Sequence, residues 1–102
     1  MRMWVLGLLV ASMGVPALAQ NSGSEIFKSK CAMCHGADGL AAGPMGKMMK
    51  IPSFKSPDLV KAPTSQLIED MANGKGKMPE YKDKLTAAQI KEVVAYIRTL
   101  QR

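Results

Sequence analysis

The sequence predicts a small all-α domain, on three observations. Apolar residues recur with helical spacing in blocks around Ile26, Leu67 and Ile90, and capping signals stand where those blocks begin. Nowhere do apolar and polar residues alternate with period two over a useful length. Between Gly36 and Pro63, eight glycines and prolines punctuate the chain too often for a long helix or a paired strand.

In chain order, the first segment reads as an export signal. Arg2 supplies a positive start, Met3 to Val15 is almost wholly apolar, and Ala17-Leu18-Ala19 offers a small-residue cleavage site before Gln20. The apolar run is shorter than the ~20 residues needed to span a bilayer, and no charged stop-transfer segment follows. No cysteine sits immediately after the cleavage site, where Gln20 stands, to carry a lipid anchor. Residues 1–19 are therefore expected to be removed after Ala19, leaving residues 20–102 as one periplasmic domain without stable membrane insertion.

That domain has 83 residues, close to the ~70–80 below which a core needs a staple. It has no Trp, and its core candidates are mainly Met, Leu, Ile and Val with Phe27, Phe54, Tyr81 and Tyr96. A covalently held apolar cofactor would supplement such a core. Without Arg2 the net charge falls from +6 to +5, a balance that favours an acidic partner surface. Nucleic acid is excluded as a partner class, because the lysines form no dense run and no recognition motif is present.

Ser22-Gly23-Ser24-Glu25 has the capping-box pattern and predicts a helix beginning at Ser22, with Ile26, Phe27, Cys31 and Cys34 on one face. The Gly36 to Pro63 stretch predicts a long wrapped loop with two short helical turns. One lies around Met45 to Lys50, and one is opened by Ser56 with Pro57 in the first helical position. A loop of this length implies a ligand around which it folds. Thr64 is the expected cap of a helix of about two turns, carrying Leu67, Ile68 and Met71 and stopped by Asn73-Gly74. The last helix is capped by Thr86 with Gln89 completing a capping box, and Leu85 with Ile90 forms a hydrophobic staple. Ile90, Val93, Val94, Ile97 and Leu100 make its buried stripe.

Cys31-Ala32-Met33-Cys34-His35 is the C-x-x-C-H pattern of covalent c-type haem attachment. On a helical turn, residues three and four apart share a face, so both thiols reach one porphyrin edge and His35 follows with its imidazole at the iron. A thioredoxin-like pair would need a βαβ setting that this strand-poor sequence lacks. A structural zinc site would need a fourth ligand from outside the cluster, and the chain has no other Cys or His. A plain disulfide fits an oxidising compartment but leaves the only His unexplained.

At these residues the chain resembles the class I c-type cytochromes over most of its mature part. Three blocks carry the likeness: Gly23, Phe27, Cys31, Cys34, His35 and Gly36; then Gly74-Lys75-Gly76-Lys77-Met78-Pro79; and last Val93-Val94-Ala95-Tyr96-Ile97. The resemblance implies three to five helices wrapped around one covalently bound haem c, with Cys31 and Cys34 as its thioether attachments. It implies His35 and Met78 as axial iron ligands, and Gly23, Phe27 and Tyr96 at the crossing of the first and last helices. A glycine at such a crossing lets two backbones approach. Gly74 and Gly76 free the backbone before Met78, and Pro79 stiffens the exit. Met45, Met48, Met49 and Met71 read as gap fillers of the crevice or core. A soft copper site at Met45, Met48 and Met49 is the alternative, although i, i+3, i+4 spacing also suits a buried stripe. Gly43-Pro44 is a candidate acceptor for the second His35 ring nitrogen.

His and Met together saturate iron, which implies a single-electron carrier of relatively high potential and not an enzyme. Lys47, Lys50, Lys75 and Lys77 form an expected basic rim for docking redox partners with acidic surfaces. The family implies a cytochrome bc-type complex and a terminal oxidase or reductase as donor and acceptor, and a monomeric carrier. Two other functions stay open: an electron-relay subunit of a larger periplasmic complex, and a haem enzyme or sensor if Met78 does not bind iron.

Overall fold

The computed structural model describes residues 16–102. Among them are three helices of ten or more residues, α1 (Pro16–Lys30), α5 (Thr64–Asn73) and α6 (Ala87–Leu100). Three single-turn segments lie between α1 and α5: α2 (Ala32–His35), α3 (Pro44–Met48) and α4 (Pro57–Lys61). The only β pairing among the described residues is one isolated bridge between Lys75 and Met78. The all-α expectation therefore holds. Residues Met1 to Val15 of the expected export signal lie outside the described residues, and the expected cleavage site after Ala19 falls within α1. No helix of the described residues is long and apolar enough to cross a membrane.

The core forms where α1 and α5 pack on α6. Phe27, Val93 and Val94 are fully buried there, with Met71, Ile90 and Ile97 around them. The crossing of α1 over α6 depends on Gly23, because a Cβ at that position would run into the Glu92 backbone carbonyl. The Phe27 and Tyr96 rings meet beside it at 5.3 Å and 57°, within the tilted range that aromatic pairs prefer. The expected trio of Gly23, Phe27 and Tyr96 is thus assembled at this crossing.

Local signals account for most boundaries. The Thr86 hydroxyl accepts from the Gln89 amide at 3.1 Å and the Gln89 side chain accepts from the Thr86 amide at 2.8 Å, the reciprocal capping box. Leu85 and Ile90 are both buried, as the staple requires. Pro44 opens α3 and Pro57 opens α4 after Ser56, each supplying the fixed φ of a first helical residue.

Three boundaries differ from expectation, the smallest being α3, which spans Pro44–Met48 against the expected Met45 to Lys50 because Pro44 supplies its first helical residue. Helix α1 spans Pro16–Lys30, so Ser22 is an interior residue and caps nothing. The run Ala17-Leu18-Ala19-Gln20 consists of good helix formers, and propagation through them outcompetes a fresh start at Ser22. Helix α5 is ten residues, nearly three turns, and Pro63 takes the cap position while Thr64 becomes its first residue. The Thr64 hydroxyl is used elsewhere, accepting from the Arg98 guanidinium at 3.3 and 3.2 Å. Arg98 also donates to the carbonyls of Leu59 and Ala62, so one side chain of α6 straps down the α4 to α5 connection.

Candidate cofactor-binding site

Cys31, Cys34 and His35 sit where α1 runs almost without interruption into α2. The Cys31 amide donates to Phe27 at 2.9 Å, His35 to Cys31 at 3.0 Å and Gly36 to Ala32 at 2.8 Å, so the helical ladder carries across the junction. The loop after Gly36 then folds back, with the Ala41 amide donating to the His35 carbonyl at 2.8 Å. Ala41 is buried and takes a left-handed φ of 53°, a conformation that L side chains adopt only where the surroundings impose it.

Met78 arrives on a tight turn. The Lys75 and Met78 backbones exchange bonds of 3.1 and 3.0 Å, and Gly74, at φ 79°, ends α5. A Cβ on Gly74 would stand 2.8 Å from the Met78 carbonyl oxygen, so only glycine admits this closure. Beyond Pro79 the chain is anchored by Tyr81, whose amide donates to Met71 at 3.1 Å.

Both cysteines, His35 and Met78 line one cavity of about 510 Å³. That volume falls within the ~300–1,000 Å³ of small-molecule and cofactor sites. Phe27, Ile51, Phe54, Leu59, Leu67 and Met71 form much of its wall. The donor set suits an apolar macrocycle carrying iron: two thiols adjacent to one imidazole, a thioether on a separate loop, and a buried His35 Nδ1 with no hydrogen-bond partner among the described residues. The carbonyl of Gly43 instead accepts from Lys47 at 3.0 Å, and the expected Gly43-Pro44 acceptor for His35 is not formed. The His35 ring stacks on Phe54, with centroids 4.7 Å apart and planes 20° from parallel.

The electrostatics distinguish this site from a dithiol redox centre. Burial pushes the Cys31 thiol up to about 11, the reverse of the depressed value that makes a reactive thiolate. The cysteines are unbridged. Burial also lowers the pKa of His35, favouring the neutral imidazole that a metal requires.

The methionines divide differently from expectation. Met71 is buried and Met49 lines the cavity, but Met45 is 37% exposed and Met48 75%. The buried stripe fails because α3 ends at Met48 and Lys50 turns into the left-handed region, so only Met49 is carried inward. Of the expected basic rim, Lys50, Lys75 and Lys77 border the cavity, joined by Lys30. Lys47 is exposed elsewhere, and Lys75 lies 3.8 Å from Asp70. Sequence reading missed Lys30, Gln101 and the placement of Phe54 against His35; no local periodicity reports a contact made across such separations.

Residues 18–97 match the family model described as cytochrome c oxidase, cbb3-type, subunit III. The chain is 33% identical over 97 residues to the cytochrome c6 of Nostoc sp., covering 90% of this chain and 82% of that protein. It is 35% identical over 78 residues to the cytochrome c6 of Bryopsis maxima, covering 74% and 84%. Among solved structures it is similar to the KustC0563 c-type cytochrome, with a TM-score of 0.71 and 26% identity over 78% of this chain and 98% of that one. With these relatives and this all-helical fold, the chain belongs to the cytochrome c family, as a class I c-type cytochrome with one covalently bound haem c, an electron-transfer protein and not an enzyme.

Proposed function

We propose that the chain is a periplasmic carrier of single electrons, with haem c joined to Cys31 and Cys34 and held axially by His35 and Met78. The observation that carries this reading is the convergence of those four side chains on one cavity from two separate segments. When bound, haem iron accepts and releases one electron at a time. His35 supplies a neutral nitrogen donor and Met78 a soft thioether, and together they leave no axial position for oxygen, peroxide or substrate. The thioether favours the ferrous state, and the apolar wall disfavours the extra charge of the ferric state, so both raise the potential.

Export with removal of residues 1–19 after Ala19 delivers the domain to the periplasm in this reading. Lys30, Lys50, Lys75 and Lys77 steer it as a monomer onto redox partners with acidic surfaces, such as a cytochrome bc-type complex and a terminal oxidase or reductase. An optical spectrum with mass analysis of the periplasmic protein tests the proposal. The expected result is one haem mass added to residues 20–102 and a low-spin ferric spectrum with the red charge-transfer band of a sulfur ligand. A high-spin ferric spectrum at neutral pH, or a band unchanged in Met78→Ala, overturns the axial assignment. The family model's description favours a second reading, a relay subunit of a larger complex. Gel filtration of the native protein separates the two.

A further inference from the structure

We propose that Phe54, Gln101 and Arg98 form a brace that sets the plane of the His35 imidazole, with Gln101 and Arg98 as positioning residues. The inference rests on the reading of His35 as an iron ligand. A ligating histidine is ordinarily oriented by a hydrogen bond from its second ring nitrogen. Here Nδ1 is buried without such a partner among the described residues, and rotation of an imidazole about its Cβ–Cγ bond has only broad intrinsic minima. The restriction comes from the Phe54 ring, 4.7 Å away and 20° from parallel: turning the imidazole would drive its edge into that face.

Phe54 can act this way because its backbone is held on both sides. Its amide donates to the Gly39 carbonyl at 2.9 Å, and its carbonyl accepts from Gln101 Nε2 at 3.0 Å. Its ring also packs against Phe27 at 5.9 Å. Gln101 follows the last residue of α6, where a long side chain is ordinarily free to move. It is held by Arg98, whose Nη1 donates to Gln101 Oε1 at 2.9 Å. With the amide oxygen committed to Arg98, the amide nitrogen is turned to Phe54. The guanidinium is fixed in turn by the Leu59 and Ala62 carbonyls and the Thr64 hydroxyl, and no carboxylate pairs with it among the described residues. Its donors are therefore spent on orientation, and a planar fork suits that task better than an ammonium.

The test is proton NMR of the ferric holoprotein, in which the spread and order of the hyperfine-shifted haem methyl resonances report the plane of the axial imidazole. Phe54→Leu and Gln101→Leu are each expected to redistribute those shifts while the low-spin optical spectrum persists. Arg98→Met is expected to reproduce the Gln101→Leu pattern, and Arg98→Lys to recover it only in part. Ile90→Val destabilises the core without touching the brace and is expected to leave the pattern as in the wild type. Should Phe54→Leu fail to hold haem, Gln101→Leu, which removes two side-chain hydrogen bonds at the cap of α6 and no buried ring, decides alone. An unchanged methyl pattern in Gln101→Leu overturns the brace. Failure of the underlying ligand assignment looks different, because the wild-type protein itself would then lack a histidine-ligated low-spin spectrum.

Discussion

Replacing Gly23 by alanine tests the helix crossing on which the core depends. An ideal Cβ there lies 2.7 Å from the Glu92 carbonyl carbon and 3.3 Å from the Val93 nitrogen, and nearer still to the Glu92 oxygen. All three are backbone atoms, so no side chain can swing away, and α1 must lift off α6 by about 1 Å to restore ordinary contact, which begins near 3.4 Å. A gap of that size forfeits about a quarter or more of the dispersion attraction across the seam. Phe27, Val93 and Val94 are fully buried at this seam. Side chains of this kind contribute roughly 2 kcal/mol each, so about 1.5 kcal/mol is lost. Residual overpacking adds about 1–2 kcal/mol. The better helix propensity of alanine returns about 1 kcal/mol. The net expectation is a loss of about 2 kcal/mol, read as a fall of about 1–2 M in the urea midpoint of the holoprotein at unchanged slope. Gly43→Ser is the paired control, since a Cβ at Gly43 meets nothing within 4 Å. It is expected to stay within about 0.5 kcal/mol of the wild type. A Gly23→Ala protein as stable as the wild type, or more so, would refute the reasoning.

Three further outcomes follow from the same structure. Thr86→Ala removes the acceptor of the Gln89 amide and is expected to cost about 1 kcal/mol in urea unfolding, with Thr86→Ser restoring most of it. Neutralising Lys50, Lys75 and Lys77 to glutamine is expected to slow electron exchange with an acidic redox partner at low salt and to flatten the ionic-strength profile; a slope as steep as that of the wild type excludes this rim as the docking surface. Burial is the main cause raising the Tyr81 phenol above its ordinary value of 10, and it persists once the neighbouring cysteines are thioethers. The unfolded chain therefore ionises first: the stabilisation is intact below pH 10 and is lost as pH climbs from there through the folded-state value. Alkaline unfolding curves of Tyr81→Phe are expected to lack this decline.

Identical local signatures had opposite fates in this chain. Thr86 with Gln89 and Ser22 with Glu25 share one capping pattern, yet only the first is used. Lys84 and Leu85 are held in a turn on Tyr81 before Thr86, whereas Ser22 follows residues that are already helical. A capping motif states that a helix can begin, and the preceding residues decide whether one does. The methionines give a similar lesson. The spacing of Met45, Met48 and Met49 satisfies a buried stripe, but a helix of five residues is too short to present one.

Features governed by contacts within about one helical turn were legible in residue spacing: the α6 cap, the turn opened by Pro57, the stop at Gly74, and the grouping of Cys31, Cys34 and His35. Such interactions join residues three or four apart, so spacing encodes them directly. Which ring faces His35, what Arg98 and Gln101 hold, and which methionine turns inward depend instead on long-range packing. Gln101 reaches Phe54 across 47 residues, and Arg98 reaches Leu59 across 39. Contacts of that span arise from how α6 lies against the wrapped loop, and no repeat in the chain records that placement.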